Sequence, residues 1–300
     1  MRKKKLNKGQ IVLLAMTIPS IILIILFTYL PMTGWIYSFF DYKIGYRLDM
    51  VEFVGFSNFK YAFGDPYLIT VVFNTLIISL LGLLGLPIAC GAAILLSELR
   101  SRRFVRVVQT TITLPNFMSW IIIYAIAFAM FSNDGLINNL LSDWGLLNEP
   151  VNVLSNVTYA WFIQAGFAIW KTAGYNSIIF FASISGIDSE QYEAADIDGA
   201  GRWAKIRHIT IPSLMPTLVT LLLIQVGFML SNGFDQYYVF MNPMVQKKIE
   251  VLDYYVYRLG MLKNDIPVST AVSMVKTFIS VLLVFTVNRI AKKATGNSVI

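Results

Sequence analysis

PYLITVVFNTLIISLLGLLGLPIACGAAILLS, Pro66–Ser97, runs for 32 positions without a charged side chain. A helix needs about 20 mostly apolar residues to cross a bilayer. The run is too long for an ordinary buried strand or globular helix, and it lacks the alternation of a barrel strand. It reads as a membrane-spanning helix. Five further stretches have the same character: Gly9–Phe40, Val107–Asn133, Pro150–Ile187 (broken only by Lys171), His208–Phe234 and Ile266–Asn288 (broken only by Lys276). The expectation is an all-α, polytopic membrane protein. A single transmembrane domain over 1–300 would hold six spans, near 11–34, 68–97, 107–131, 158–187, 213–238 and 267–289.

Composition agrees. Of 300 residues 56% are hydrophobic and 14% charged, against about 25% charged in a soluble domain. Much of the surface therefore faces something other than water. The net charge of +7 reads as orientation and not as affinity for nucleic acid. Fifteen Lys and Arg lie in the N-terminal tail (Arg2, Lys3, Lys4, Lys5, Lys8), the 2–3 loop (Arg100, Arg102, Arg103, Arg106), the 4–5 loop (Arg202, Lys205, Arg207) and the C-terminal tail (Arg289, Lys292, Lys293), against seven in the other loops. The positive-inside rule then places both termini in the cytoplasm. The first apolar run outlasts the h-region of a signal peptide, so it reads as an uncleaved span. Cys90, alone of its kind, reads as packing.

Several chemistries are missing. Lys171-Thr172 and Lys276-Thr277 lack the preceding glycine of a phosphate-binding loop. A single histidine disfavours a metal site. There is no Gly-x-Ser-x-Gly elbow, and no carboxylate pair lies within the spans. No catalytic residue is expected, and the energy for any work must come from another chain or an ion gradient.

The loop over 188–212 reads DSEQYEAADIDGAGRWAKIRHITIP. Ser189 suits a helix N-cap, and Glu190 and Glu193 favour the helix dipole. Ala194 and Ala195 keep the helix thin. Asp198-Gly199 breaks it, Gly199 being free to turn left-handed. A second short helix from Arg202 to about His208 should follow, ended by Pro212, which starts the next span. A thin helix with a forced turn suits insertion into a partner's cleft.

Glu193-Ala194-Ala195, Asp198-Gly199-Ala200 and Ile209-x-Ile211-Pro212 resemble the EAA motif of ATP-binding-cassette (ABC) importer permeases. Ile211 stands where that family has Leu, and Ile206 where Phe is common. Val54-Gly-Phe-Ser-Asn-Phe-Lys60, Asp65-Pro66 and Asn74-Thr75 resemble carbohydrate-importer permeases. Phe234-Asp-Gln-Tyr-Tyr-Val239, Asn242-Pro243 and Asp253–Gly260 resemble the subgroup that handles oligosaccharides and polysaccharide fragments. The resemblance implies a type I importer permease fold in a bacterial plasma membrane. It also implies a second permease, two cytoplasmic ATPases that hold the ATP and magnesium, and an extracellular solute-binding protein that delivers a carbohydrate. This chain would bind no cofactor or metal directly. Glu193, Ala194, Ala195, Asp198, Gly199, Ala200, Ile206, Ile209 and Pro212 would dock the ATPase. Glycerol-phosphate esters or peptides remain alternative cargoes, and a gradient-driven secondary transporter the alternative class.

For the pathway, Lys171 and Lys276 stand out because a lysine within a span costs about 2.5–3.5 kcal/mol unless it faces protein or water. Each serves either as a counter-charge for acidic sugars or as a structural donor to carbonyls. Asn232, Phe234, Asp235, Gln236 and Tyr237, expected in the outer part of span 5, combine aromatic faces with amide and carboxylate groups suited to sugar rings. Trp170 and Tyr175 on span 4 are further candidates.

Overall fold

The computed structural model describes residues 8–147 and 149–295. The tail residues Arg2, Lys3, Lys4 and Lys5 lie outside them. Helices dominate, and among the described residues the sole extended pairing is an isolated antiparallel bridge between Phe40 and Phe53. Two compact units are formed.

The first unit holds the described part of Met1–Gly64 together with Val256–Val275. Helix α1 (Lys8–Ile24) continues through a π-turn at Ile25–Tyr29, closed by the Leu30 N–H on the Ile25 carbonyl. Pro31 follows at once. A proline cannot donate to the helical ladder, and a widened turn shifts the ladder by one residue just where that donor is missing. The apolar stretch Val12–Phe39 buries none of its most apolar window, as a lipid-facing helix should. Beyond it the chain folds back through the Phe40–Phe53 bridge to α2 (Ser57–Gly64). Asn58 Nδ2 fixes this turn by donating to the Ser38 and Phe40 carbonyls, both at 3.0 Å.

The second unit spans Asp65–Tyr255 and the described residues from Lys276 onward. Helices α3 (Pro66–Leu83) and α4 (Gly85–Ser97) form one long apolar rod with a slight break at Leu84. Asp65 caps it by accepting from the Tyr67 N–H at 2.9 Å. The expected third span is broken. Helix α5 (Arg102–Thr113) ends in a 3₁₀ turn at Leu114–Phe117, and α6 (Trp120–Phe131) begins afresh with Ser119 as its cap. Pro115 supplies no N–H, so the ladder stops there. A short helix α7 (Leu136–Asp143) follows.

Helix α8 (Ala160–Ser185) has 26 residues, about 39 Å at 1.5 Å per residue, and is the hub of this unit. Phe180 of α8 is fully buried with Leu86, Ala89 and Ala93 of α4. At its other end Ala160 packs with Ile123 and Ala127 of α6. Small residues let these backbones approach, as at membrane helix interfaces generally. Gly174 is the extreme case: a Cβ there would lie 1.9 Å from the Ile112 carbonyl oxygen.

Helix α9 (Ser189–Ile197) and a short α10 (Arg202–Lys205) form the loop expected from the sequence. Helix α10 does not end at Pro212. It runs through a second π-turn, Ile206–Thr210, closed by the Ile211 N–H on the Ile206 carbonyl, into α11 (Ile211–Gly227). Pro212 again directly follows the closing residue, so it is accommodated instead of stopping the helix. The fifth span ends earlier than the expected 238, at Gly227. Phe234–Tyr237 falls at the start of a separate helix α12 (Asp235–Phe240), after a turn in which Gly233 takes φ +83°. Helices α13 (Gln246–Ile249) and α14 (Leu252–Tyr257) follow. Helix α15 (Ile266–Thr295) starts in the first unit and ends in the second.

Among the described residues five helical stretches are both long and apolar enough to cross a membrane: Val12–Phe39, Pro66–Ser97, Trp120–Asp143, Arg202–Gly227 and Ile266–Ile290. Helix α8 has the length of a sixth. Gln164, Lys171 and Asn176 dilute its apolar character, which fits a helix surrounded by protein.

Candidate functional site: an exposed helical loop and a cavity between helices

The loop is built by helix termini. Asp188, not Ser189, caps α9, its Oδ1 accepting from the Glu190 N–H at 3.0 Å. At the other end Gly199 takes φ +75°. The Ala200 N–H reaches the Ala195 carbonyl at 2.8 Å and the Gly199 N–H the Asp196 carbonyl at 3.1 Å. This paired return satisfies two terminal carbonyls and requires the left-handed residue. Lys205 Nζ then bonds Asp196 Oδ1 at 2.7 Å, and the Tyr192 and Thr210 hydroxyls meet at 2.9 Å. These two ties hold α9 against the start of the long helix.

The expected docking residues divide into two faces. Glu193, Ala194, Asp198, Gly199 and Pro212 are exposed, whereas Ala195, Ala200, Ile206 and Ile209 are half-buried and pack the loop to itself. Two residues not singled out in the sequence dominate the free face: Ile197 is 88% and Trp203 73% exposed. Their signal was available, because Ile and Trp are unusual beside the turn of an otherwise polar loop.

A second feature lies between α3, α8 and α11. A cavity of about 280 Å³ is lined by Ser79, Thr172, Gln225, Asn232, Gln236 and Tyr237, among others. Ser79 Oγ donates to Asn232 Oδ1 at 2.5 Å, and Asn232 Nδ2 donates to the Thr75 carbonyl at 3.1 Å. Gln236 Nε2 donates to the Gln164 carbonyl and to Gln164 Oε1 at 2.8 and 2.9 Å. Gln225 Oε1 is buried and has no partner among the described residues. A buried acceptor left unpaired costs about 1–3 kcal/mol, so this oxygen suits an incoming hydroxyl donor.

Of the pathway candidates, Asn232, Gln236 and Tyr237 come together here. Phe234 instead stacks on Tyr254, ring centroids 6.3 Å apart, and Asp235 is exposed in the first turn of α12. Tyr175 is exposed, and Trp170 lines a separate, apolar cavity with Ile126 and Phe167. Lys171 Nζ donates to the carbonyls of Pro115 (3.2 Å), Asn116 (3.1 Å) and Met118, and lies 5.4 Å from the Trp120 ring centroid. It caps the broken third span. Lys276 pairs with Asp253, whose other oxygen accepts from the Gly233 N–H at 3.2 Å. Neither lysine opens onto the cavity. Ser79, Thr172 and Gln225 were missed because each is a single polar residue in an apolar run, and only the tertiary fold brings them together.

A bundle of membrane helices with a self-contained, exposed helical loop before its penultimate long helix defines a transport permease. Residues 85–294 match the family described as binding-protein-dependent transport system inner membrane component. The chain belongs to that family, and it is a transport subunit, not an enzyme. Protein LplB of Bacillus subtilis (strain 168) is 37% identical over 278 residues, 92% of this chain and 87% of LplB. The polygalacturonan/rhamnogalacturonan transport system permease protein YteP of the same organism is 36% identical over 296 residues, 97% of this chain and 92% of YteP. A chain in the crystal structure of a bacterial alginate ABC transporter, in complex with an alginate pentasaccharide-bound periplasmic protein, superposes with a TM-score of 0.87 at 32% identity, covering 97% of each chain. The fold is thus that of an ABC importer permease.

Proposed function

We propose that this chain is the permease subunit of an ATP-driven importer of oligosaccharides, uronic-acid oligosaccharides in particular, handed over by an external binding protein. The observation that carries the carbohydrate reading is the cavity with its unpaired Gln225 Oε1 among hydroxyl and amide groups. That is the chemistry for ring hydroxyls. The names of YteP and of the alginate transporter support the uronic class. In this reading a second permease completes the pathway, and two cytoplasmic ATPases bind ATP and magnesium. The 188–212 loop lies in a groove of one ATPase. Glu193 makes the charged contact, Ala194 the close approach, and Ile197 and Trp203 the apolar anchors. Coupling arises because the loop's contacts differ between the open and closed ATPase. Both termini face the ATPase side.

The test is made on the assembled transporter in lipid. Glu193→Lys and Gly199→Asp should leave the chain inserted and assembled, yet abolish stimulation of ATP hydrolysis by the loaded binding protein. Full stimulation in both variants would show that the loop is not the docking element.

A further inference from the structure

An oligosaccharide of uronic acids carries carboxylates as well as hydroxyls, and the cavity around Gln225 offers no cation. Away from the basic loops, the second unit contains four lysines: Lys171, Lys247, Lys248 and Lys276. Lys171 donates to three carbonyls, which uses all three ammonium N–H groups. Lys276 is neutralised by Asp253. Lys247 and Lys248 have no carboxylate partner among the described residues. Glu250, two residues on, turns instead to Tyr67 Oη and Gln246 Nε2 at 2.5 and 3.1 Å.

These two lysines sit on a rigid support. Asn74 Nδ2 donates to the Lys247 and Glu250 carbonyls at 2.9 and 3.2 Å. Trp161 Nε1 donates to the Lys248 carbonyl at 2.7 Å and to Asn74 Oδ1 at 3.1 Å. The Lys248 ammonium lies 4.0 Å from the centroid of the Trp161 ring, a cation–π placement that holds the charge in position without neutralising it.

The support is aligned with the cavity. Trp161 and Ala168 are seven residues apart on α8, two turns with a drift of about 20°, and Ala168 lines the cavity. Asn74 and Ile78 are one turn apart on the same face of α3, and Ile78 also lines it. The ammonium therefore sits about 10 Å farther along α8, at the end of the helix opposite the docking loop.

We propose that Lys248, held on Trp161 and assisted by Lys247, is a carboxylate-recognition site at the mouth of the pathway, selecting uronic over neutral oligosaccharides before they reach the Gln225 cavity. The proposal rests on the uronic-cargo reading. Hydroxyl acceptors and an unneutralised cation along one line of the fold match a molecule that carries both hydroxyls and an acid.

The test compares trigalacturonate with its methyl ester, which keeps the hydroxyls and removes the charge, for binding to the assembled transporter in nanodiscs and for uptake into vesicles. Lys247→Met/Lys248→Met keeps the apolar stems and the backbone carbonyls that Asn74 and Trp161 hold. Wild type should prefer the acid by about ten- to a hundredfold, the worth of a charge-assisted hydrogen bond. The double variant should treat acid and ester alike with unchanged ester binding, and Lys248→Arg should restore most of the preference. A double variant that still prefers the acid overturns the site but leaves uronic cargo standing. A wild type that does not distinguish acid from ester, or binds neither, overturns the site and the uronic reading together.

Discussion

Replacing Lys171 with Met separates a structural lysine from a cargo-binding one. The ammonium supplies donors to three carbonyls where the third span breaks, those of Pro115, Asn116 and Met118. Methionine fills similar space and donates nothing. The Pro115 carbonyl keeps the Met118 N–H at 3.2 Å, so the Asn116 and Met118 carbonyls are the two left without the ammonium. At about 2 kcal/mol each, within the usual range of 1–3, they give a penalty of about 4 kcal/mol. Removing a charge from the membrane interior returns about 3 kcal/mol. The net loss is about 1 kcal/mol. At roughly 2–4 °C per kcal/mol for a unit of this size, the melting temperature should fall by about 2–4 °C. Thermal unfolding of the purified assembly in detergent, followed by size-exclusion, measures it. Uptake of acidic and neutral oligosaccharides should fall in the same proportion, because the lysine does not face the cavity. An unchanged melting temperature with selective loss of the acidic cargo would refute this assignment and return Lys171 to the pathway.

Two further predictions concern packing and charge. Gly174→Ala places a methyl 1.9 Å from the Ile112 carbonyl, so α5 and α8 must separate and the yield of monodisperse protein should collapse; Gly166→Ala, with nothing within 4 Å, should behave as wild type in the same chromatography. Lys276→Met strands the largely buried Asp253 carboxylate and should cost about 3–5 kcal/mol, while Lys276→Met/Asp253→Asn recovers most of the melting temperature. Equal losses in the single and double variants would show that the pair is not coupled.

The spans were legible because lipid imposes a simple demand: about 20 residues without charge. Pro66–Ser97 and Ile266–Asn288 met it, and helices stand there. The turn of the 188–212 loop was legible because Gly199, at φ +75°, has a conformational job that a sequence can announce. Proline was the unreliable signal. Pro115 breaks a helix, whereas Pro31 and Pro212 are absorbed by π-turns, and nothing adjacent in the sequence separates the cases. At Pro115 the freed carbonyls find Lys171, 56 positions away in the chain. Phe234 and Asp235 had the composition of a sugar site, but at the start of α12 Phe234 stacks on Tyr254 and Asp235 is exposed, while Gln236 and Tyr237 line the cavity. Ser79 and Gln225 looked incidental until α3, α8 and α11 brought them to one cavity.

The second π-turn has a mechanical consequence. Because α10 and α11 are continuous, Arg202–Gly227 is one rod of 26 residues, about 39 Å long. In the docking proposed above, a push on α9 would enter this helix through Tyr192 and Lys205 and travel toward Gln225 at its far end. The π-turn and Pro216, which leaves a gap in the helical ladder inside α11, are the two places where the helix can bend on the way.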